Sequence, residues 1–511
     1  DAETWSAIFD TLGDAGSASA QASSVGTLGL DPANWSELVA LLPFITVAIA
    51  NANADVTLAS SAVLKASHDI DISAETTRLV DTNTGSIPGL NGKLPFNLGV
   101  AYGRISGTTL VDVKSGAALN AGHDLDMQAL SDNTLDLKAT ATNSKDGNGG
   151  QGSTSGFAFG MAHSDIQTLA QVADGARLTV GNDVSLKALT QQSLNNEVEF
   201  KSIGQGAAGG PAIALTLFNS TTRAAFDADL SKGRNLNVSA INLIDQQSNS
   251  SSVQAGKSGT DYATSKAVAT AKPITDYLAG KVKALFGKDP NPTATKPTDS
   301  KFRLASALAI GIADHKAEAI IGSGASKPVI KVDGDVAVQA LQRQSDMHNS
   351  AESTVNADVK KDDGANTSLS VAAVYSQLDQ STRALIGDGS DITAGRIGVA
   401  AKNQQLLNLD GLDRWSSLEA IYTNLKNHAS SLPDVPGKLS SSYANSTSEA
   451  EKLSIAGSLS VMVNSLDSTA WVGDNVKLTA TNTDKSAWST KPLSGLEAAL
   501  DDKGVETDAS K

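Results

Sequence analysis

Two histidines stand at the head of nearly identical short phrases, and they are the residues best placed to do chemistry. His68 opens HDIDISA and His123 opens HDLDMQA, so each histidine is followed by an Asp-apolar-Asp pair. Imidazole and carboxylate groups together are ligands for divalent metal ions. If the two phrases stack, a surface metal site is conceivable, with the candidate ligands His68, Asp71, His123 and Asp126.

A second interpretation needs no metal, and it is the one we favour. Related phrases elsewhere carry Asn, Arg or Gly where these two carry His. A turn accepts all of these residues, whereas a ligand set would not. We therefore interpret the histidines as turn residues and the aspartates as solvated carboxylates on a strand. The sequence assigns no catalytic residue, no cofactor and no metal beyond the four candidates.

Other fragments with the look of a binding loop are also explained as turns. Residues 387–391 (GDGSD) and 332–335 (VDGD) resemble pieces of a calcium loop, but the twelve-residue pattern with its terminal Glu is absent. Adventitious calcium on so acidic a chain stays open. The glycine-rich stretches from Lys145 and Gly204 lack the Gly-Lys-Ser/Thr ending of a phosphate loop. With no Cys, a cysteine nucleophile and a thiolate zinc site are excluded.

The phrases that position these residues recur along the chain, and each ends on alanine. Their last residues lie between 52 and 100 positions apart. The seven copies end at Ala74, Ala129, Ala188, Ala240, Ala340, Ala401 and Ala480. Each combines a turn with apolar–polar alternation, which is typical of a strand with one buried face. The constant small last residue predicts a corner where backbone approaches backbone.

An alternating strand rich in Ala, Val, Ile and Leu precedes each phrase, and a short bridging strand lies between that strand and the phrase. In the fifth copy Leu308, Ile310 and Ile312 share one side, which we expect to be buried. Strand, turn, strand, turn, strand is the unit of a β-solenoid, in which repeats bury a core only by stacking. We predict an all-β, right-handed parallel β-helix of about seven degenerate repeats with peripheral α-helical insertions.

Composition agrees with a narrow solenoid rather than one large core. Aromatic residues make up 4% of 511 residues, and the net charge is −15. An acidic surface repels nucleic acid and anionic lipid, so we expect neither nucleic-acid binding nor membrane insertion. The chain begins at Asp1 without a signal-peptide pattern. We interpret it as mature or excised material from a larger array.

The variable spacing divides the chain into repeats and insertions. Helical patterns occur near both ends and between repeats, for example from Pro273 and from Leu412. The predicted organisation is a helical segment at 1–43, repeats one to four at 44–242, a helical and Pro/Thr-rich insertion at 243–303, repeats five and six at 304–403, a helical insertion at 404–452, repeat seven at 453–482, and a helical or linker segment at 483–511.

The repeat pattern resembles that of giant bacterial filamentous adhesins, the filamentous-haemagglutinin-like exoproteins of two-partner secretion. The matching residues are 319–324, 334–340, 385–389 and 472–474, within a region of about 44–480. The resemblance implies a secreted β-helix rod at a bacterial cell surface that mediates attachment or biofilm cohesion. Its implied partners are neighbouring repeats, further copies of the chain, and glycans or proteins of a host or cell surface.

Two other functions stay open. One is a self-assembling subunit of an extracellular filament or sheath, with head-to-tail contacts between solenoid ends. The other is a β-helix module that binds or cleaves polysaccharide. Such a module predicts a groove lined by aromatic residues and carboxylates, yet four of the five Trp fall in predicted helical segments. We therefore expect a structural protein without enzymatic activity.

Overall fold

The structure is a computed structural model that describes most of the chain in ten stretches. They are residues 45–84, 96–144, 154–203, 208–255, 302–344, 347–355, 367–405, 441–448, 450 and 453–482. All regular elements in these stretches are β-strands, and every strand pairing is parallel.

The strands form three sheets, each built by stacking like strands from successive parts of the chain. The first sheet contains β1 (Ile45–Asn51), β2 (Ala54–Leu58), β5 (Phe96–Val113), β8 (Thr154–Val172), β11 (Ala208–Phe226), β14 (Phe302–Ile321), β18 (Thr367–Ile386) and β22 (Leu453–Val472). The second contains β4 (Ile70–Thr84), β7 (Leu125–Ser144), β10 (Val184–Ile203), β13 (Leu236–Ala255), β16 (Asp335–Gln344), β17 (Met347–Val355), β20 (Arg396–Gln405) and β21 (Ser441–Ser448). The third contains β3 (Val63–Ala66), β6 (Ala118–Ala121), β9 (Arg177–Val180), β12 (Asp229–Leu230), β15 (Val329–Lys331), β19 (Asp391–Ala394) and β23 (Lys477–Ala480).

One circuit of the chain runs from the first sheet through the third to the second. Strand β8 has 19 residues, β9 has 4 and β10 has 20. A 20-residue strand is about 65 Å long at 3.2–3.4 Å per residue. The two long sheets face each other, as the 2.7 Å hydrogen bond from Thr190 to Thr168 shows, and the short third sheet closes one narrow edge. The fold is therefore a flattened parallel β-solenoid, as the repeat pattern predicts at the level of class.

The space between the long sheets is narrow, and small residues fill it. Ala158, Ala212, Ala307 and Ala372 are paired in adjacent strands of the first sheet, and each is at most 1% exposed. A Cβ added at Gly160 would lie 2.5 Å from Val198 Cγ2 of the facing sheet, too close for real atoms. Interiors are close-packed, so this spacing explains the Ala, Gly and Ser content.

The alanine-ended phrases stack, but not as a corner. Their alanines form one in-register column through the second sheet, made by Ala74, Ala129, Ala188, Ala240, Ala340 and Ala401. The corner prediction is wrong, because strands such as β10 and β13 continue well beyond the alanine. The seventh phrase belongs elsewhere, since Ala480 pairs with Ala394 in the third sheet.

Alternation along the strands is confirmed, although the buried side is not the expected one. In β14 the buried residues include Ala307 and Ala309, whereas Leu308, Ile310 and Ile312 lie half-buried on the outer face. The interior between the long sheets is too thin for branched side chains at these positions. The bridging strand predicted from Lys316 is the second half of β14 rather than a separate strand.

The insertion boundaries shift where the described residues reach into them. Residues 243–255 continue β13, and 441–448 form β21, so both belong to the solenoid. The helices predicted near the two ends, from Pro273 and from Leu412 lie outside the described residues. Strands β4, β7, β10 and β13 belong to the second sheet, and the strand that follows each of them in the described residues belongs to the first.

Candidate functional site

The histidine phrases begin at the turn that links the short third sheet to the second long sheet. Strand β3 ends at Ala66 and β4 begins at Ile70, which leaves a three-residue turn. Parallel pairing places Ile70 opposite Leu125, and Leu125 opposite Val184. Each turn therefore lies directly over the turn of the next strand.

Aspartate and asparagine side chains connect these turns. Asp69 Oδ1 accepts a 3.0 Å hydrogen bond from the backbone N–H of Asp124, and Asp124 Oδ1 accepts one of 3.0 Å from Asp183. Further along, Asn235 Oδ1 accepts a 2.8 Å bond from the N–H of Asp335. We call these stacked residues the turn ladder. It satisfies backbone donors that have no partner within the turn itself.

The structure brings together three of the chemically able residues in the first two turns. Ligand atoms of His68, Asp69 and His123 lie within 4.8 Å of one another, all three residues are exposed, and the two rings are 5.7 Å apart. Asp71 and Asp126 pair with each other on the adjacent strands, also exposed, but they are not part of this group. The two histidines predicted from sequence spacing therefore lie together, and the carboxylate grouped with them is Asp69.

Both ladder carboxylates stay ionised to lower pH than usual. The pKa of Asp124 lies below its ordinary value, chiefly because the N–H of Asp183 donates to the carboxylate, and the amide of Asn182 adds to the effect. The pKa of Asp69 is lowered mainly by the N–H of Asp124. The hydrogen bonds to the charged form therefore lower the pKa of each aspartate by more than its slight burial raises it.

Later turns replace histidine by other residues and bind their carboxylates with arginine. The equivalents of His68 and His123 are Asn182, Arg234, Gly334 and Gly395. Arg234 donates to both oxygens of Asp183 at 2.8 and 2.6 Å. Arg396 donates to both oxygens of Asp335 at 2.8 and 2.7 Å. The position is a turn position that accepts several residue types, as the sequence interpretation holds.

The calcium-like fragment at 387–391 also works as a turn. Gly389 has a φ of +74°, a conformation that glycine adopts without strain. Asp388 Oδ1 accepts a 2.8 Å hydrogen bond from the N–H of Asp474 in the next turn. The second fragment ends at Asp335, which is engaged by Arg396. These carboxylates serve the stacking of turns.

Sequence reasoning missed a row of polar residues buried between the long sheets. Asn196 donates to the side chain of Asn249 at 3.0 Å, and Asn349 donates to Ser376 at 2.8 Å. His315 is fully buried, with Nδ1 2.7 Å from Ser220 Oγ and its ring edge-on to Phe218. Burial lowers the pKa of His315 to about 3, so it is neutral at pH 7. The sequence signal that could have found them is the alternation along each strand, because these polar residues fall at every second position, on the side that faces the interior.

The turn ladder makes a measurable contribution to stability. We expect Asp124→Ala to reduce the free energy of unfolding by about 1 kcal/mol, below the usual range for charged hydrogen bonds, because the carboxylate is partly exposed. Urea denaturation in EDTA measures the change. Asp124→Asn keeps the Oδ1 acceptor and should lose less, and Asp71→Ala, outside the ladder, is the matched control. Equal losses in Asp124→Ala and Asp71→Ala would contradict the role of the ladder.

The fold and the site define a parallel β-solenoid whose turns are joined by ladders of like side chains. No protein-family model, no curated protein and no solved structure matches this chain. In the part of the chain that the structure describes, no helix is long and apolar enough to cross a membrane.

Proposed function

We propose that this chain is a structural stalk segment of a large secreted bacterial surface adhesin or filament, without enzymatic activity, and that it supports attachment or biofilm cohesion. The proposal includes a right-handed coil with peripheral helical insertions. It draws on the sequence resemblance to filamentous adhesins, and on a fold whose stability comes from contacts between successive coils. The stalk is located outside the cell. Its fold is held by backbone hydrogen bonds between strands, so it does not need the disulfides that the absence of cysteine excludes.

The observation that carries the proposal is the stacking surface left at the last described coil. Leu466, Val472 and Leu478 occupy inward positions, paired with the buried Gln380, Ile386 and Ile392. They are nevertheless 49%, 41% and 40% exposed. Among the described strands, β22 is the last of its sheet path, so no described strand pairs with its outer edge. Such a surface fits one more coil of the same kind.

The second candidate is a self-assembling filament subunit, and the same surface favours it. A second copy of the chain could supply the missing coil, which would give a head-to-tail contact and an open-ended fibre. The seven strands along the path of the first sheet span only about 30 Å at 4.8 Å per strand. A filament is therefore easy to distinguish from a single chain.

Electron microscopy over a range of protein concentrations tests the stalk proposal. A stalk segment is expected to stay at the length of one chain at all concentrations. Open-ended fibres would overturn this proposal in favour of the second candidate. The double variant Val472→Lys, Leu478→Lys then serves as a control, because charges at the stacking surface should abolish fibres that grow through this end. A matched variant, Lys316→Glu on the flank, should leave them intact.

A polysaccharide-binding or polysaccharide-cleaving module is the third candidate, and it makes a different prediction. It requires reproducible release of reducing sugar from at least one member of a polysaccharide panel. The stalk proposal predicts none above the level of heat-denatured protein. Binding without cleavage would appear as retention on an immobilised polysaccharide.

A further inference from the structure

We propose that the first two turns of the ladder bind a divalent transition-metal ion of the zinc class, held by His68, His123 and Asp69. The ion would clip strand β4 to strand β7. The proposal is independent of the stalk function.

The distances around His123 suit a shared ion. His123 Nδ1 lies 3.1 Å from Asp69 Oδ1 and 3.1 Å from Asp124 Oδ2. Ligand atoms bound to one tetrahedral zinc ion at 2.0–2.1 Å stand about 3.3 Å apart. Nδ1 therefore faces two carboxylate oxygens across the space that an ion would occupy. His68, whose ligand atom is within 4.8 Å, completes the set by rotating its exposed side chain.

A comparison with two later turns of the ladder favours a cation at this position. At later turns the carboxylates are neutralised by guanidinium groups, Arg234 on Asp183 and Arg396 on Asp335. Among the described residues, neither Asp69 nor Asp124 pairs with a lysine or arginine. A divalent cation supplies at these turns what arginine supplies at the others.

The chemistry of the donor set selects the ion. Two imidazoles with carboxylates favour zinc, copper or nickel over calcium and magnesium, which prefer an all-oxygen shell. Binding at Nδ1 requires Nε2 to carry the proton. Its described contact, 3.4 Å from Asn182 Nδ2, is long and lies on the surface, so water can replace it. Metal binding therefore needs little rearrangement: a neutral ring that carries its proton on Nδ1 transfers it through water to Nε2, with no net release of a proton.

Calorimetric titration of the untagged full chain with Zn²⁺ at pH 7.5 tests the site. We expect saturable binding of one ion, and a loss of affinity of about tenfold or more in His68→Asn and in His123→Asn. Asparagine is the natural residue of the equivalent turn at Asn182, so both variants should fold. His348→Asn, on a distant strand of the second sheet, is the matched control and should bind as the parent does.

Cobalt substitution gives a second readout. Co²⁺ bound by imidazole and carboxylate should add visible absorption bands that disappear in His123→Asn. The proposal would be overturned by absence of saturable Zn²⁺ binding, or by equal affinity in the double variant His68→Asn, His123→Asn. It would equally be overturned if Ca²⁺ bound more tightly than Zn²⁺, because acidic groups alone would then explain the binding.

Discussion

Replacing Ala240 by leucine is expected to lower the free energy of unfolding by about 3 kcal/mol, the upper end for an overpacked core. Ala240 is fully buried in the middle of the alanine column, between Ala188 and Ala340 on the adjacent strands. Strands in a sheet are only about 4.8 Å apart, so three added carbons push against both neighbours in the column. Urea denaturation followed by circular dichroism measures the loss.

The same substitution at Ala401 is the control. Ala401 belongs to the same column but lies in β20, the last described strand of that sheet path, where it is only half-buried. The leucine there has room on one side, and we expect a loss below about 1 kcal/mol. If Ala401→Leu cost as much as Ala240→Leu, stacking within the column would not be the reason for the small residue.

Acidification is expected to destabilise the chain through His315. The pKa of this histidine is about 3 in the folded protein and near 6.5 when unfolded, so protons bind preferentially to the unfolded chain in between. Its contribution is complete above pH 6.5 and is lost as the pH falls toward 3. At 1.36 kcal/mol per unit, the loss is about 3 kcal/mol between pH 7.5 and 4.5.

The variant His315→Gln isolates this effect from other titrating groups. Glutamine is the residue that pairs with His315 in the next strand, where Gln380 is buried at the same inward position. The difference in unfolding free energy between parent and variant should shift by about 3 kcal/mol in favour of the variant on acidification to pH 4.5. A difference that stays constant across this range would show that His315 is not buried in its neutral form.

A further check on His315 comes from its ring protons. A neutral, buried imidazole with a pKa of about 3 should show no titration in NMR spectra above pH 4. His315→Gln assigns the signal. This measurement does not depend on how many steps unfolding takes.

Part of the site could be predicted from the sequence because turn residues and alternation are local signals. The phrases identified His68 and His123 as equivalent positions, and the structure stacks them in adjacent turns. Spacing alone could not show that Asp69 rather than Asp71 lies beside the histidines, because both aspartates of the phrase are exposed. The hydrogen bond from Asp124 N–H to Asp69 exists only once two strands are in register.

The sequence by itself determined the class of fold. Strict alternation, a recurring turn and a constant small last residue predict stacked strands, because each of these signals acts within a few residues. The tertiary structure decided which strands stack. It placed Ala480 in the third sheet although its phrase reads like the other six, and it turned Leu308 outward while Ala307 and Ala309 face the core. Pairing joins residues more than fifty positions apart, and it depends on register and on the narrow gap between facing sheets.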